Sequence, residues 1–263
     1  MTRHVVMYSS GIGSWATARR VAKQHGTDNL VLLFADVGGD HSNPHDGEDE
    51  DNYRFLYESA AAIGGELVVL NTGETIWDVF RRRRFLGNSR QANCSEELKQ
   101  KPCRRWLEAN CDPADTVVYI GIDWSETHRI DKIRAAYMPW RAEFPMTEPP
   151  YMDKHQMLAA CRTEGIEPPR LYATGAAHAN CGGGCTRAGV GAFTRLHMTN
   201  PERFAHWERR EQEMRDYLGK DVTILKSGTL AALRERLDTG QSTLDDTEER
   251  GCDACFTDYG NAS

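Results

Sequence analysis

The sequence predicts an α/β protein in which a parallel sheet of about five strands is flanked by helices. Short apolar runs rich in β-branched residues occur at positions 5–8, 30–35, 66–70 and 116–122. Helical patterns separate these runs, and strands that alternate with helices form parallel sheets. A fifth strand is predicted at positions 171–174, and an edge strand at 222–226. The 263 residues suffice for one large α/β domain or for a domain with an appendage.

The composition is that of a globular protein. Hydrophobic residues make up 40% of the chain and charged residues 27%, and no apolar run approaches the ~18 residues of a membrane helix. The N-terminus lacks the apolar core of a signal peptide, so we expect a cytoplasmic location with no membrane partner. The net charge of −7 argues against a broad basic surface for nucleic acid, but leaves room for a local basic groove.

The first strand leads into a loop that is suited to an anion. Residues 9–14 read SSGIGS, and a helical pattern follows directly. This order directs backbone N–H groups and the positive end of a helix dipole at one point, while glycines let the backbone approach a phosphate. The predicted phosphate-binding residues are Ser9, Ser10, Gly11, Ile12, Gly13 and Ser14. The alternative is an ordinary turn in which Ser14 is the N-cap.

Two other strand ends contribute candidate residues. Asp36 follows the second strand, where its carboxylate would hydrogen-bond a ribose hydroxyl or hold Mg²⁺ beside the loop. Gly121 ends the fourth strand and would admit a nucleotide against the backbone, and Arg129 would pair with a phosphate. The alternatives are a turn or cap role for Asp36 and a surface ion pair for Arg129.

Three segments carry a resemblance to a known family. The loop resembles the SGGxxS pyrophosphate loop of the PP-loop ATP pyrophosphatases, a group that includes the sulfonucleotide reductases. Residues 94–102 resemble the Cys…LKxxP segment of those reductases, and residues 121–129 resemble their GxRxxxSxxR segment. The matching positions are Ser9, Gly11, Ser14, Cys94, Leu98, Lys99, Pro102, Gly121 and Arg129. The positions that depart from the pattern are Ser10, Gly13, Ser95 and Asp123.

The resemblance implies an adenine nucleotide α-hydrolase-like fold and a reaction. The nucleotide-binding domain would span residues 1–175, and a cysteine-rich helical region that packs on it would span residues 176–263. ATP would be cleaved to AMP and pyrophosphate with Mg²⁺, and Ser14 and Lys99 would be catalytic. An acceptor would thereby be adenylated for sulfur incorporation. The implied partners are DNA, as in phosphorothioation, or tRNA, together with a sulfur donor of the cysteine desulfurase type and a second copy of the chain.

The cysteines suggest a metal centre. Eight cysteines in an intracellular chain indicate free thiols, metal ligands or redox chemistry. Residues 181–185 read CGGGC and residues 252–255 read CDAC, and four thiolates suit either a [4Fe–4S] cluster or Zn²⁺. The resemblance at Cys94 favours the cluster. Candidate ligands are Cys94, Cys181, Cys185, Cys252 and Cys255. Buried inert thiols, a redox-active disulfide between the last two and a structural zinc stay open as alternatives.

Two other functions remain open. One is an iron–sulfur reductase of adenylylsulfate or phosphoadenylylsulfate, although the chain lacks the CGLH-type motif of those enzymes. The other is a redox sensor that binds nucleotide and metal without turnover. For nucleic acid, the basic runs at residues 81–84 and 99–105 would contact the backbone. Residues 38–51 are acidic and rich in helix breakers, which predicts a solvated loop.

Overall fold

A computed structural model describes residues 1–88 and 90–241 of the chain. Within these residues the chain forms five strands, which are β1 (Arg3–Met7), β2 (Leu30–Asp36), β3 (Glu66–Asn71), β4 (Thr116–Tyr119) and β5 (Arg141–Glu143). All neighbouring strands pair in parallel, in the order β3-β2-β1-β4-β5. The predicted α/β fold with a five-stranded parallel sheet is therefore confirmed. The carboxyl ends of the three central strands lie together at one edge.

Helices connect the strands and continue beyond them. They are α1 (Ile12–His25), α2 (Glu50–Ile63), α3 (Ile76–Arg83), α4 (Asn93–Ser95), α5 (Lys101–Asn110), α6 (Ile130–Tyr137), α7 (Lys154–Thr163), α8 (Val190–Thr199), α9 (Pro201–Leu218) and α10 (Leu230–Asp238). A π-helical segment, Glu96–Gln100, joins α4 to α5. Short 3₁₀ segments are Trp124–Arg129, Pro145–Thr147, Arg170–Thr174 and Asn180–Gly183. None of the helices described is long and apolar enough to cross a membrane.

The sheet is covered on both faces, which explains why its central strands read as continuous apolar runs. Alternate residues of β1 enter different cores, because successive side chains of a strand point to opposite faces. Val6 and Tyr8 pack with residues of α1, α2 and α7. Val5 and Met7 pack with residues of α5 and α6 on the other face. All seven residues of β2 are buried.

A third core joins the C-terminal helices to the middle of the chain. Trp77 and Phe80 of α3 pack with Phe193 of α8, Trp207 of α9 and Leu233 of α10. The Trp77 and Trp207 rings lie 4.8 Å apart, in an edge-on arrangement. Residues 190–238 thus pack on the same end of the molecule as α3. The start of a separate unit at residue 176 stays a prediction.

Two of the predicted strands are wrong. Residues 171–174 lie in the 3₁₀ segment Arg170–Thr174, which follows two prolines and forms no sheet pairing. The fifth strand is instead β5, which lies between Pro139 and Pro145 and pairs with β4. Residues 222–226 are also not a strand, since only an isolated bridge between Leu225 and Gly228 forms there.

Candidate functional site

The loop between β1 and α1, residues 9–14, is named the phosphate loop. Gly11 is the N-cap of α1, with an extended backbone, so the alternative in which Ser14 is the N-cap does not apply. The Ser14 hydroxyl instead donates to the Gly11 carbonyl at 2.8 Å, and the Ser9 hydroxyl lies 3.4 Å from that of Ser14. The first N–H groups of a helix have no intrahelical acceptor. The loop therefore presents N–H groups and hydroxyls together at the helix N-terminus.

Two glycines bring the phosphate loop against the end of β4. A methyl group at Gly121 would lie 3.0 Å from both the Gly13 carbonyl oxygen and the Ser14 backbone. A methyl group at Gly13 would lie 3.1 Å from the Gly121 carbonyl oxygen. Contacts of 3.0–3.1 Å between a side-chain carbon and backbone atoms are tighter than most, so a side chain at either position would require the two backbones to move apart by a few tenths of an ångström. The end of β4 therefore lies directly against the phosphate loop at Gly121, and the predicted role of Gly121, to admit a nucleotide against the backbone, stays a prediction.

A small cavity, the phosphate cavity, opens at this contact and has a volume of about 120 Å³. Its lining residues are Ser9, Gly11, Ile12, Gly13, Ser14, Gly121, Asp123, Glu126, Met146, Lys154, Met157, Tyr172, Ala177, His178, Ala179 and Asn180. Sites that enclose a drug-sized ligand measure ~300–1,000 Å³, and liquid water occupies ~30 Å³ per molecule. The cavity therefore has room for a phosphate group, and a nucleoside would extend out of it.

Two lining residues come from distant parts of the chain and were not predicted. The Tyr172 hydroxyl accepts the N–H of Ile12 at 3.0 Å, and burial raises the pKa of Tyr172 to about 12, so the hydroxyl stays protonated. Lys154 begins α7, where its ammonium donates to the Ala177 carbonyl at 2.6 Å. Asp153 is the N-cap of α7, and this cap fixes the position of Lys154, the next residue. Nothing in the sequence links Tyr172 to the loop.

Ser10 lies in the phosphate loop but does not line the cavity. Its φ is +55°, a left-handed conformation that glycine adopts more readily than serine. Its side chain is fully buried, and its hydroxyl accepts from the Asn52 amide at 2.7 Å. Ser10 therefore anchors the loop to α2.

Asp36 lies at the carboxyl end of β2, as predicted, but its oxygens are occupied. One oxygen accepts from the Gly38 N–H at 3.0 Å and from the Tyr53 hydroxyl at 2.6 Å. The other accepts from Asn71 at 2.9 Å and contacts His41 Nε2 at 2.7 Å. A carboxylate offers about four lone-pair sites, and four donors fill them. Asp36 is only 4% exposed and organises the turn after β2.

Arg129 and Lys99, which were also predicted to bind or act on the nucleotide, do not line the phosphate cavity. Arg129 forms an ion pair with Glu126 within the 3₁₀ segment, which is the arrangement anticipated as its alternative. Lys99 lies in the π-helical segment and is 4% exposed. Its ammonium lies 3.2 Å from a carboxylate oxygen of Glu48.

Glu48 belongs to the acidic loop that the sequence predicts to be solvated, and this prediction is wrong for residues 47–49, which are buried. The Glu48 side chain is 1% exposed and accepts the N–H of Cys181 in addition to Lys99. Its carbonyl accepts from the guanidinium of Arg203 at 3.1 Å. Arg203 is 2% exposed, and burial lowers its pKa. Partners from three distant segments thus compensate the buried charges.

Three of the five predicted cysteine ligands lie among the described residues. Cys94, Cys181 and Cys185 form no disulfide and are of intermediate exposure, and Cys252 and Cys255 lie outside the described residues. Between residues 1 and 241, Ser89 excepted, no group of three or more histidine, cysteine, aspartate or glutamate side chains is arranged to hold a metal ion. These residues alone therefore do not fit a [4Fe–4S] cluster or a zinc site. The four-sulfur set stays a prediction.

The two basic runs, residues 81–84 and 99–105, differ in the partners of their charged side chains. In residues 81–84, Arg82 pairs with Glu74 at 2.9 Å and Arg83 with Glu97 at 3.5 Å. Arg81 and Arg84 instead lie over the half-exposed ring of Tyr217, at 5.1 and 5.5 Å from its centroid. In residues 99–105, ion pairs with glutamates hold Lys99, Lys101 and Arg104.

Comparison with known proteins adds no relative: no protein-family model matches the chain, and no curated protein is similar to it.

Proposed function

We propose that this protein binds the phosphates of ATP at the phosphate loop and cleaves ATP between its α and β phosphates. AMP is transferred to an oxygen of an acceptor, and pyrophosphate leaves. The observation that most supports this proposal is the contact of Gly13 with Gly121, because it closes a phosphate-sized cavity at a helix N-terminus. The resemblance of the loop to the pyrophosphate loop of PP-loop enzymes supplies the reaction type.

The chain's own groups supply the charge stabilisation that this reaction needs. The N–H groups of Gly13 and Ser14, in the first turn of α1, would hold phosphate oxygens, since the Ile12 N–H already donates to Tyr172. The Ser9 and Ser14 hydroxyls would exchange their present bonds, which include that of Ser14 to the Gly11 carbonyl, for bonds to phosphate. The Lys154 ammonium adds a positive charge at the same cavity. Asp123 and Glu126 are carboxylates of the lining, but Glu126 pairs with Arg129 and both close the capping box of the 3₁₀ segment Trp124–Arg129, so neither is assigned as a Mg²⁺ ligand. Bound Mg²⁺ would neutralise charge that develops on the leaving pyrophosphate.

The acceptor in this proposal is a nucleic acid that is adenylated for sulfur incorporation. Arg81 and Arg84 support it, since both guanidinium groups lie over one exposed aromatic ring. Guanidinium groups stacked on an aromatic surface are suited to phosphates and bases. No step is assigned to a metal cluster, because the described cysteines do not form one.

Release of pyrophosphate from ATP and Mg²⁺ tests the proposal. Lys154→Ala should reduce the rate by roughly 100-fold, as expected for loss of one preorganised charge contact, and Ser14→Ala should also reduce it strongly. Lys23→Ala is the matched control, because Lys23 is an exposed lysine at the far end of α1. The proposal fails if the purified protein does not bind ATP, or if the Lys154 and Ser14 variants release pyrophosphate as fast as the control.

A further inference from the structure

An aromatic cleft lies next to the phosphate cavity. Trp124 and Tyr151 form it, with ring centroids 6.5 Å apart and planes at 66°, and its volume is about 460 Å³. Trp124 is 50% exposed and Tyr151 is 57% exposed. Four of the six tryptophans are buried in cores, so the exposure of Trp124 is unusual for this chain. Two large rings thus face one open cleft and leave much of their surface to a ligand.

The same chain segments wall the cavity and the cleft. In five pairs of consecutive residues, one lines the phosphate cavity and the other lines the cleft: Asp123 and Trp124, Glu126 and Thr127, Met146 and Thr147, Lys154 and Asp153, and Met157 and Gln156. The two openings are therefore adjacent, on the side of the phosphate loop where β4 ends. A ligand in the cleft would approach a phosphate in the cavity from this side.

Polar groups in the cleft are arranged to contact the edge of a flat ring. Asp153 and Gln156 form a capping box at the start of α7, in which the Gln156 side-chain oxygen accepts the Asp153 N–H at 2.8 Å. This bond fixes the Gln156 amide and leaves its two side-chain N–H donors for another acceptor. Thr127 adds a hydroxyl at the same cleft. Aromatic faces combined with fixed amide donors are suited to a nucleobase, which presents π-faces and edge acceptors.

We infer that the cleft formed by Trp124 and Tyr151 binds a base of the single-stranded nucleic acid that accepts AMP. This inference rests on the proposed function for the identity of the acceptor, but base binding itself requires no turnover. The cleft lies on the β4 side of the loop, and residues consecutive in the chain line it and the phosphate cavity. It would hold the base beside the α-phosphate, where an acceptor oxygen must come.

Binding of a fluorescein-labelled single-stranded oligonucleotide of about 12 nucleotides, measured by anisotropy without ATP, tests the inference. Trp124→Ala and Tyr151→Ala should each weaken binding by roughly five- to 150-fold, the range for loss of one base–aromatic stack. Trp124→Phe should retain most of the affinity, because an aromatic face remains. Tyr57→Ala is the matched control: Tyr57 is 56% exposed, nearly the same as Tyr151, and lies on α2.

A base in the cleft could come from the oligonucleotide or from the adenine of ATP. A parallel titration of the same variants with ATP and Mg²⁺ distinguishes these two sources. The inference predicts unchanged ATP binding in the cleft variants. Loss of ATP binding with intact oligonucleotide binding would overturn it and assign the cleft to adenine. Equal oligonucleotide affinity in the wild type, the cleft variants and the Tyr57 control would overturn it too, as would a wild-type protein that binds no oligonucleotide. Absence of pyrophosphate release would contradict only the proposed reaction.

Discussion

Replacement of Lys99 by methionine separates a structural role of this lysine from a catalytic one. Methionine has a similar length and keeps the apolar contacts of the stem, but removes the charge. The Glu48 carboxylate would then lose its ammonium partner and keep the Cys181 N–H, with 1% of its side chain exposed to water. Loss of one partner of a buried ion pair costs about 3–5 kcal/mol, because the other charge stays buried without compensation.

The expected loss is large for a protein of this size. At ~2–4 °C per kcal/mol for chains of ~150–250 residues, 3–5 kcal/mol lowers Tm by roughly 6–20 °C. Glu48→Gln should have a similar effect, because it leaves the ammonium of Lys99 buried. The double variant should be less destabilised than the sum of the two single variants, by about 0.5–3 kcal/mol, since neither charge remains.

Urea unfolding followed by circular dichroism measures all four proteins of this cycle. A loss below about 1 kcal/mol for Lys99→Met, the level of an exposed ion pair, would contradict the argument from burial. Strict additivity in the double variant would show that Lys99 and Glu48 do not stabilise each other. Pyrophosphate release, measured at a temperature where the variant is folded, then reports any catalytic role separately.

Three further outcomes are expected from local geometry. Gly182→Ala should lower the free energy of unfolding several-fold more than Gly165→Ala, because a methyl group at Gly182 would lie 1.2 Å from the Arg203 guanidinium, whereas no described atom lies within 4 Å of a methyl group at Gly165. Both glycines have positive φ, so backbone strain of about 1–2 kcal/mol is common to the two variants. Urea unfolding compares them. Burial, and to a smaller extent the neighbouring His25 ring, lowers the pKa of His4. The unfolded chain therefore binds more protons than the folded protein below pH ~6.5, and the free energy of unfolding should fall as the pH falls from 7.5 to 5.5. His4→Gln should make this fall smaller, as measured by unfolding curves across that pH range. Burial raises the pKa of the Cys103 thiol to about 12, so mass spectrometry should find it unmodified by iodoacetamide at pH 8 in the folded protein and alkylated in urea.

Four strands could be predicted because each carries its own signal. The runs that form β1, β2, β3 and β4 are long, apolar and β-branched, and parallel pairing buries most of them on both faces. β5 has three residues, of which only Ala142 is buried, so it has no detectable period. It becomes a strand because β4 supplies an edge to pair with, and a local pattern does not contain that partner. The 171–174 segment is apolar enough to resemble a strand, but it forms a 3₁₀ segment whose Tyr172 side chain contacts the phosphate loop.

The phosphate loop was predictable for the same reason that β1 was: strand, small residues and helix follow one another within a few positions. The groups that complete the cavity were not, because Tyr172 reaches Ile12 across 160 positions of sequence. The prediction of a solvated loop at residues 38–51 rested on its acidic composition, and this was wrong for Glu48 and its neighbours. Burial of Glu48 depends on Lys99, 51 residues away, and on Cys181, 133 residues away. A charged residue can be buried only where such partners converge, and composition does not report convergence.

Hydrogen bonds connect the CGGGC segment, residues 181–185, to the phosphate loop through the start of α2. The Cys181 N–H donates to the Glu48 carboxylate. Asp49, which follows Glu48, caps α2 by accepting the Asp51 N–H at 3.0 Å. Asn52, in the first turn of α2, donates to Ser10 at 2.7 Å. The first of these bonds crosses the boundary predicted at residue 175, as does the bond from Arg203 to the Glu48 carbonyl. A chain that ended there would leave the Glu48 carboxylate without one of its donors and its carbonyl without a guanidinium partner, so the anchor of the phosphate loop depends on residues that follow it.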